Sequence, residues 1–188
     1  MRIYAIIAHD KKDSLNGFIF ENIINHLKTK NLDLDILNLY DYADKIPFYF
    51  HDKEKLESNE FFQKNKNSIL AADRILIVHP IYWYSTPGIL KAWIDLITNY
   101  AYKYESGVYA KPLHKIKKAM LINTSKAPYL YRKFLTCNTA TRQVRETLKF
   151  IGINDNIFYE IGSVYKLNDK KVNGHIKSII NKIDKFIK

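Results

Sequence analysis

Five short, β-rich, mostly apolar segments alternate along this chain with stretches of helical periodicity, and that alternation limits the fold more than any other feature. Residues 2–8 (RIYAIIA) are apolar almost without a break, as a strand buried on both faces must be. After a polar loop at residues 9–16, apolar Leu15, Phe18, Ile19, Ile23 and Leu27 recur at spacings that mark one face of a helix. Residues 32–39 (LDLDILNL) alternate and read as a second strand. Residues 40–56, aromatic and charged with Pro47 among them, show no single period and read as an irregular connection. Residues 57–72 suit a helix that turns Phe61, Phe62, Ile69 and Leu70 inward. A third strand at residues 74–79 (RILIVH) ends at Pro80, which cannot donate to a ladder. Pro87 sits where the next helix begins, its fixed φ already helical, and Ile89, Leu90, Trp93, Ile94 and Ile97 form that helix's buried face. A long loop at residues 100–114 and a fourth strand at 117–123 follow. Then come a helix at 136–151 stopped by Gly152, a fifth strand at 156–164, and a closing amphipathic helix carrying Ile176, Ile179, Ile180, Ile183 and Ile187.

Strands and helices alternating through short joints are the pattern of βαβ units around a parallel sheet, and right-handed crossovers leave few ways to wind one. The 188 residues fit a single domain, residues 1–188, with no internal repeat or linker. The expected fold is an α/β three-layer sandwich of flavodoxin-like type, with a five-stranded parallel sheet of order 2-1-3-4-5. Ligands of such sheets bind beyond the carboxyl ends of the strands, near strands 1 and 3. Loops 9–16, 80–86 and 124–131 should therefore meet on one edge.

Composition narrows the partners. The longest apolar runs fall far below the roughly 18–20 residues of a bilayer span, and the first residues lack the apolar length and cleavage site of a signal peptide. A lone cysteine, Cys137, precludes an internal disulfide and a Cys-based zinc site. The expectation is a reduced, cytoplasmic protein without a metal centre and without membrane insertion. Net charge is +11, yet only five basic residues are Arg, and the lysines are scattered with no block of five or six. Nucleic-acid recognition favours Arg, so the charge reads as a solvated lysine-rich surface that steers small anions, not as a nucleic-acid face. Six glycines form no G-x-G, which removes both the dinucleotide fingerprint and the P-loop. Any phosphate must be held by hydroxyls and a helix N-terminus.

The first loop offers that chemistry. Ser14 is placed either to cap the first helix or, through the same N–H groups and the helix dipole, to help bind a phosphate. Asn16 can hydrogen-bond a sugar or phosphate oxygen, with His9 nearby at the strand end. The second loop runs Pro80, Ile81, Tyr82, Trp83, Tyr84. Three consecutive aromatics on a loop cannot all point inward, so at least one lines a flat, apolar pocket.

From Pro80 through Trp83, Tyr84, Pro87, Leu90, Lys91 and Trp93 the chain resembles the flavodoxin-fold NAD(P)H:quinone oxidoreductases. That group includes DT-diaphorase-like enzymes, bacterial quinone reductases and the ancillary flavoproteins of potassium-efflux systems. His9, Ser14 and Asn16 resemble the family's phosphate loop, residues 100–104 its substrate-lining aromatic segment, and Phe150-Ile-Gly-Ile its last helix–strand joint. The resemblance implies a flavin, FMN or alternatively FAD, reduced by NAD(P)H and reoxidised by a quinone or similar flat acceptor. It implies that Pro80, Ile81, Tyr82, Trp83 and Tyr84 hold the ring, that His9, Ser14 and Asn16 serve the phosphate and ribityl chain, and that Tyr102 and Tyr104 complete the site of the partner in a homodimer.

The third loop departs from the family pattern. Thr124 and Ser125 keep the hydroxyls expected against the flavin's polar edge, but Lys126 and Ala127 stand where the family has glycines. Lys126 is a candidate to stabilise the anionic reduced flavin. No histidine lies between His114 and His175, so the Tyr–His pair of longer relatives is incomplete; the loop offers Tyr129 and Tyr131, of which Tyr129 is the best available proton donor, with solvent as the alternative. A non-catalytic flavin- or nucleotide-binding regulatory subunit is the alternative function.

Overall fold

Near-continuous apolar segments form the inner strands of a parallel sheet in the computed structural model, which describes residues 1–48, 52–105 and 109–188. The main chain passes through β1 (Arg2–Ile7), α1 (Leu15–Lys28), β2 (Asp33–Asn38), α2 (Lys53–Ser58), α3 (Glu60–Ala71), β3 (Arg74–Pro80) and α4 (Gly88–Ile97). A hairpin of β4 (Tyr102–Glu105) and β5 (Tyr109–Pro112) follows, then β6 (Lys118–Thr124), α5 (Tyr129–Leu135), α6 (Thr139–Phe150), β7 (Asp155–Ile161) and α7 (Asp169–Phe186). The sheet order is β2-β1-β3-β6-β7, every pairing parallel, which is the expected 2-1-3-4-5 winding.

Period-two alternation sorts the strand residues into two cores. Tyr4, Ile6, Ile75, Ile77 and Leu121 face the layer of α3, α4 and α6, whereas Ile3, Ala5, Leu76, Val78 and Met120 face α1 and α7. Burying each large aliphatic side chain contributes about 1.5–3 kcal/mol, so inner strands apolar on both faces are the main source of stability. Trp93 belongs to the first core, where its Nε1 donates to Asn65 Oδ1 at 2.8 Å, an oxygen that also accepts from the Tyr4 hydroxyl.

Three connections differ from the sequence expectation. The loop expected at residues 124–131 gives way to α5, whose Leu130, Phe134 and Leu135 are exposed; with no core-facing stripe, it carries no helical period to read. Tyr-Lys-Tyr-Glu at residues 102–105 alternates as a strand and pairs with residues 109–112, turning the expected long loop into a hairpin. A short helix, α2, interrupts the connection expected to be irregular. Residues 49–51 and 106–108 of these connections lie outside the described residues. Pro87 caps α4 instead of opening it, its carbonyl accepting from the N–H groups of Leu90 and Lys91.

Register brings the loops to one level. Pro80 pairs with Thr124, the Ile81 N–H donates to the Thr124 carbonyl at 2.8 Å, and the Ala8 N–H donates to the Val78 carbonyl at 2.9 Å. The loop after β1 is packed down onto the first turn of α1, where a Cβ on Gly17 would lie only 1.9 Å from the Lys12 carbonyl oxygen. Gly17→Ala must therefore push backbone aside. We expect a loss of about 1–3 kcal/mol in denaturant unfolding, with β1–α1 loop amides exchanging faster than those of β6.

Candidate functional site

The β1–α1 loop begins at half-buried His9, whose Nδ1 accepts from the Lys11 N–H at 3.0 Å. Ser14 is the N-cap of α1: its Oγ accepts from the Gly17 N–H at 3.1 Å and donates to the Lys11 carbonyl at 2.7 Å. Of its two possible roles the structure displays the cap. Asn16 is 3% exposed; its Nδ2 donates to Thr124 Oγ1 at 2.9 Å, while its buried Oδ1 has no partner.

The second loop is a tight turn of unusual composition. Tyr82 and Ser85 exchange backbone hydrogen bonds of 3.0 and 2.9 Å, and the two residues between them, Trp83 and Tyr84, have φ of 49° and 64°. Positive φ at both central positions is the pattern of a type I′ turn, which Asn-Gly fills at little cost; bulky aromatics there store about 1–3 kcal/mol each. The turn is held from α6, because Thr139 Oγ1 donates to the Tyr84 carbonyl and Ser85 Oγ donates to Gln143 Oε1. Trp83 is left 93% exposed.

The third loop turns without glycine. Neither Lys126 nor Ala127 has a positive φ, so their side chains meet no conformational obstacle. The loop instead leans on the exit of β7: the Ser125 N–H donates to the Ile161 carbonyl, and the N–H groups of Ser163 and Val164 donate to the Ala127 and Ser125 carbonyls. Glycine is needed on that opposite side, where a Cβ on Gly162 would lie 2.4 Å from the Tyr129 nitrogen.

Together the loops enclose a cavity of about 700 Å³, a volume suited to a medium-sized ligand. Every residue expected to hold a cofactor lines it except Ser14, and exposed Lys126 lines it too. Tyr129 does not line it. Because α5 is helical, residues 129 and 131 point about 200° apart; the Tyr131 hydroxyl lies 3.5 Å from that of Tyr84 on the cavity rim, and this contact raises the Tyr131 pKa. Tyr102 and Tyr104 stand on the hairpin, edge-to-face with each other and with Phe150 beneath Tyr102, and line no part of this chain's own cavity.

Two groups went unforeseen. Arg132, its side chain 2% exposed, lines the cavity beside the third loop. The available signal was its type: one of five arginines in a lysine-rich chain, directly after that loop. Fully buried His79 donates from Nδ1 to the Pro80 carbonyl at 2.8 Å, leaving Nε2 without a partner, and burial pulls its pKa down to about 4. The imidazole is neutral at pH 7 and sits beneath the turn that carries the aromatics. Among the described residues no group of three or more His, Cys, Asp or Glu side chains is placed to hold a metal ion, and no helix is long and apolar enough to cross a membrane.

A protein family described as having a flavodoxin-like fold matches residues 1–187. An FMN-dependent NADH:quinone oxidoreductase of Coprothermobacter proteolyticus is 32% identical over 161 residues, 78% of this chain and 77% of that one. An uncharacterised NAD(P)H oxidoreductase of Escherichia coli is 27% identical over 140 residues, 69% of this chain and 68% of its own length. The solved structure of an NAD(P)H:quinone oxidoreductase from Methanothermobacter marburgensis superimposes with a TM-score of 0.80 at 17% identity, covering 96% of this chain and 94% of that one.

Two outcomes follow from the strained turn and the buried imidazole. Trp83→Gly removes an exposed ring and a left-handed bulky residue together, so the variant should be at least as stable as the parent in denaturant unfolding. A loss above about 1 kcal/mol would contradict the assignment of strain. For His79, the unfolded imidazole takes a proton near pH 6.5 that the folded one refuses until about pH 4. Its contribution is therefore intact above pH 6.5 and is lost as the pH falls toward 4. Between pH 7 and 5 the parent should lose about 2 kcal/mol more than His79→Gln.

Proposed function

The chain belongs to the family of flavodoxin-like fold, and from that premise we propose that it is an FMN-dependent oxidoreductase moving reducing equivalents from NAD(P)H to a quinone-like acceptor. The observation that carries this reading is the asymmetry of the cavity. One wall is the rigid aromatic turn of Tyr82, Trp83 and Tyr84; the other is the polar set Asn16, Thr124 and Ser125. A flat, amphipathic ring with a hydroxylated tail and a terminal phosphate matches both walls.

The residues fit FMN on structural grounds. Asn16 Oδ1 is a buried acceptor without a donor, which a ribityl hydroxyl would satisfy. Leu15 and Asn16, at the first turn of the 14-residue α1, line the cavity, and that turn carries no acidic residue to repel a phosphate. Exposed Lys126 and buried Arg132 add positive charge. Bound FMN would supply the hydride relay itself. The protein's part is to hold the ring against the turn, to keep Tyr84 and Tyr131 at the rim as hydroxyl donors, and to leave an open face for one flat molecule at a time. In this reading the protein acts as a homodimer in which each β4–β5 hairpin, with Tyr102 and exposed Tyr104, closes over the other protomer's cavity.

The test begins with apoprotein and FMN. Titration should quench the flavin fluorescence and give a one-to-one complex, and NADH or NADPH should bleach its absorbance under nitrogen until a quinone restores it. Trp83→Gly should weaken FMN binding about tenfold, or about 1.4 kcal/mol, without loss of fold. Failure of the parent to bind FMN would refute the proposal. FMN binding without quinone-dependent NAD(P)H oxidation would reduce it to a binding role.

A further inference from the structure

Behind the cavity lies an ion pair whose acidic member has no task in the proposed reaction. The side chains of Arg132 and Glu160 are 2% and 8% exposed, with NH1 and Oε2 3.6 Å apart. Asn138 bridges them: Arg132 NH1 donates to Asn138 Oδ1 at 3.0 Å, and Asn138 Nδ2 donates to Glu160 Oε1 at 2.6 Å. Thr141 donates to the same carboxylate oxygen. The bridging residue is itself held in the left-handed region at φ 49°. Even so, Arg132 Nε and NH2 and Glu160 Oε2 are buried without a hydrogen-bond partner. Burying a pair whose remaining donors and acceptors are unmet is costly, and apolar side chains of similar size would serve stability better.

The pair also has a direction. Arg132 lines the cavity and Glu160 does not; Glu160 lines a separate recess bounded by α5, α6 and β7, together with Asn138 and Thr141. The positive pole therefore faces the ligand site and the negative pole faces away. Burial pulls the guanidinium pKa below its ordinary value, and the Glu160 charge beside it acts in the opposite direction. Lys126, by contrast, is exposed, and water screens its charge.

We infer that the Arg132–Glu160 pair is an oriented field that sets how strongly the site prefers the reduced flavin to the oxidised one, an inference that rests on the FMN reading above. A hydride brings two electrons and one proton, and its donor leaves as NAD(P)⁺. An uncharged ring that takes it up therefore ends with one negative charge. A fixed cation in a low-dielectric wall stabilises that charge far more than an exposed one does. Glu160 is a positioning residue: it holds the guanidinium in place and tempers its field, so the preference stays moderate and the ring can still pass its electrons on.

Opposite shifts from the two ends of the pair distinguish this role from a merely structural one. With FMN bound, the midpoint potential is measured by anaerobic spectroelectrochemical titration for the parent, Arg132→Gln, Arg132→Lys and Glu160→Gln. Arg132→Gln should reduce the preference for reduced over oxidised flavin about tenfold, about 30 mV lower for a two-electron couple. Glu160→Gln, which retains an oxygen for Asn138 and Thr141 but frees the cation, should increase it by a similar factor. Arg132→Lys should stay within threefold of the parent. If Arg132→Gln does not fold, the comparison of Glu160→Gln with Arg132→Lys decides. Shifts of the same sign from both ends, or a Glu160→Gln preference within threefold of the parent's, would overturn the inference while leaving the FMN reading intact. A parent that takes up no FMN would overturn both.

Discussion

The in-register end of β3 against β6 is the constraint on which the site depends. Pro80 opposite Thr124, continued by the Ile81 N–H on the Thr124 carbonyl, fixes the second and third loops at the same height. Asn16 then ties the first loop to the same threonine through its hydroxyl. One residue, Thr124, thus meets both other loops, by its carbonyl and by its side chain. A slip of one residue in this pairing would invert every side chain of β6 and also part the two walls of the cavity. Two buried core faces oppose such a slip, so the hydrophobic pattern that builds the sheet also sets the geometry of the polar wall.

Rigidity at the aromatic wall comes from outside the turn. Trp83 and Tyr84 occupy backbone conformations that bulky residues disfavour, and no packing rewards the exposed indole. What keeps the turn closed is the bonding of α6 to Tyr84 and Ser85, together with the flat join to β6 at Ile81. A neutral His79 anchors the carbonyl just before the turn. Local strain sustained by surrounding structure is characteristic of sites where a ligand, and not the fold, benefits from the shape.

Much of this was legible in sequence because the governing patterns are local. Unbroken apolar runs mark inner strands, three-four spacing marks α1 and α7, and the Pro80–Trp93 run places three aromatics at a strand end. What was hidden depends on tertiary partners. Helix α5 buries Arg132 and little else, so its apolar residues show no stripe. Read as a loop, that segment does not distinguish Tyr129 from Tyr131 by direction; as a helix it sets the Tyr131 hydroxyl beside that of Tyr84 and leaves Tyr129 off the cavity wall. No local pattern announces that a lone arginine will be desolvated against a glutamate 28 positions away, since the contact is made only when β7 joins the sheet.

The glycine pattern shows how one geometric need can be met from either side of a contact. Lys126 and Ala127 look out of place if close approach at the third loop requires glycine within that loop. Yet the loop adopts ordinary φ throughout, and its tight contact is with the exit of β7, where Gly162 supplies the missing volume. The cavity wall is thereby freed to carry a lysine on its exposed side. The same β7 exit lies next to Glu160, which holds the guanidinium that forms part of that wall. Strand β7 lies at the sheet edge and lines no part of the cavity, yet Gly162, the residue that follows it, shapes the third loop, and its Glu160 pairs with the arginine of the wall. The chemistry of the third loop is therefore set as much by this neighbouring strand as by the loop's own residues.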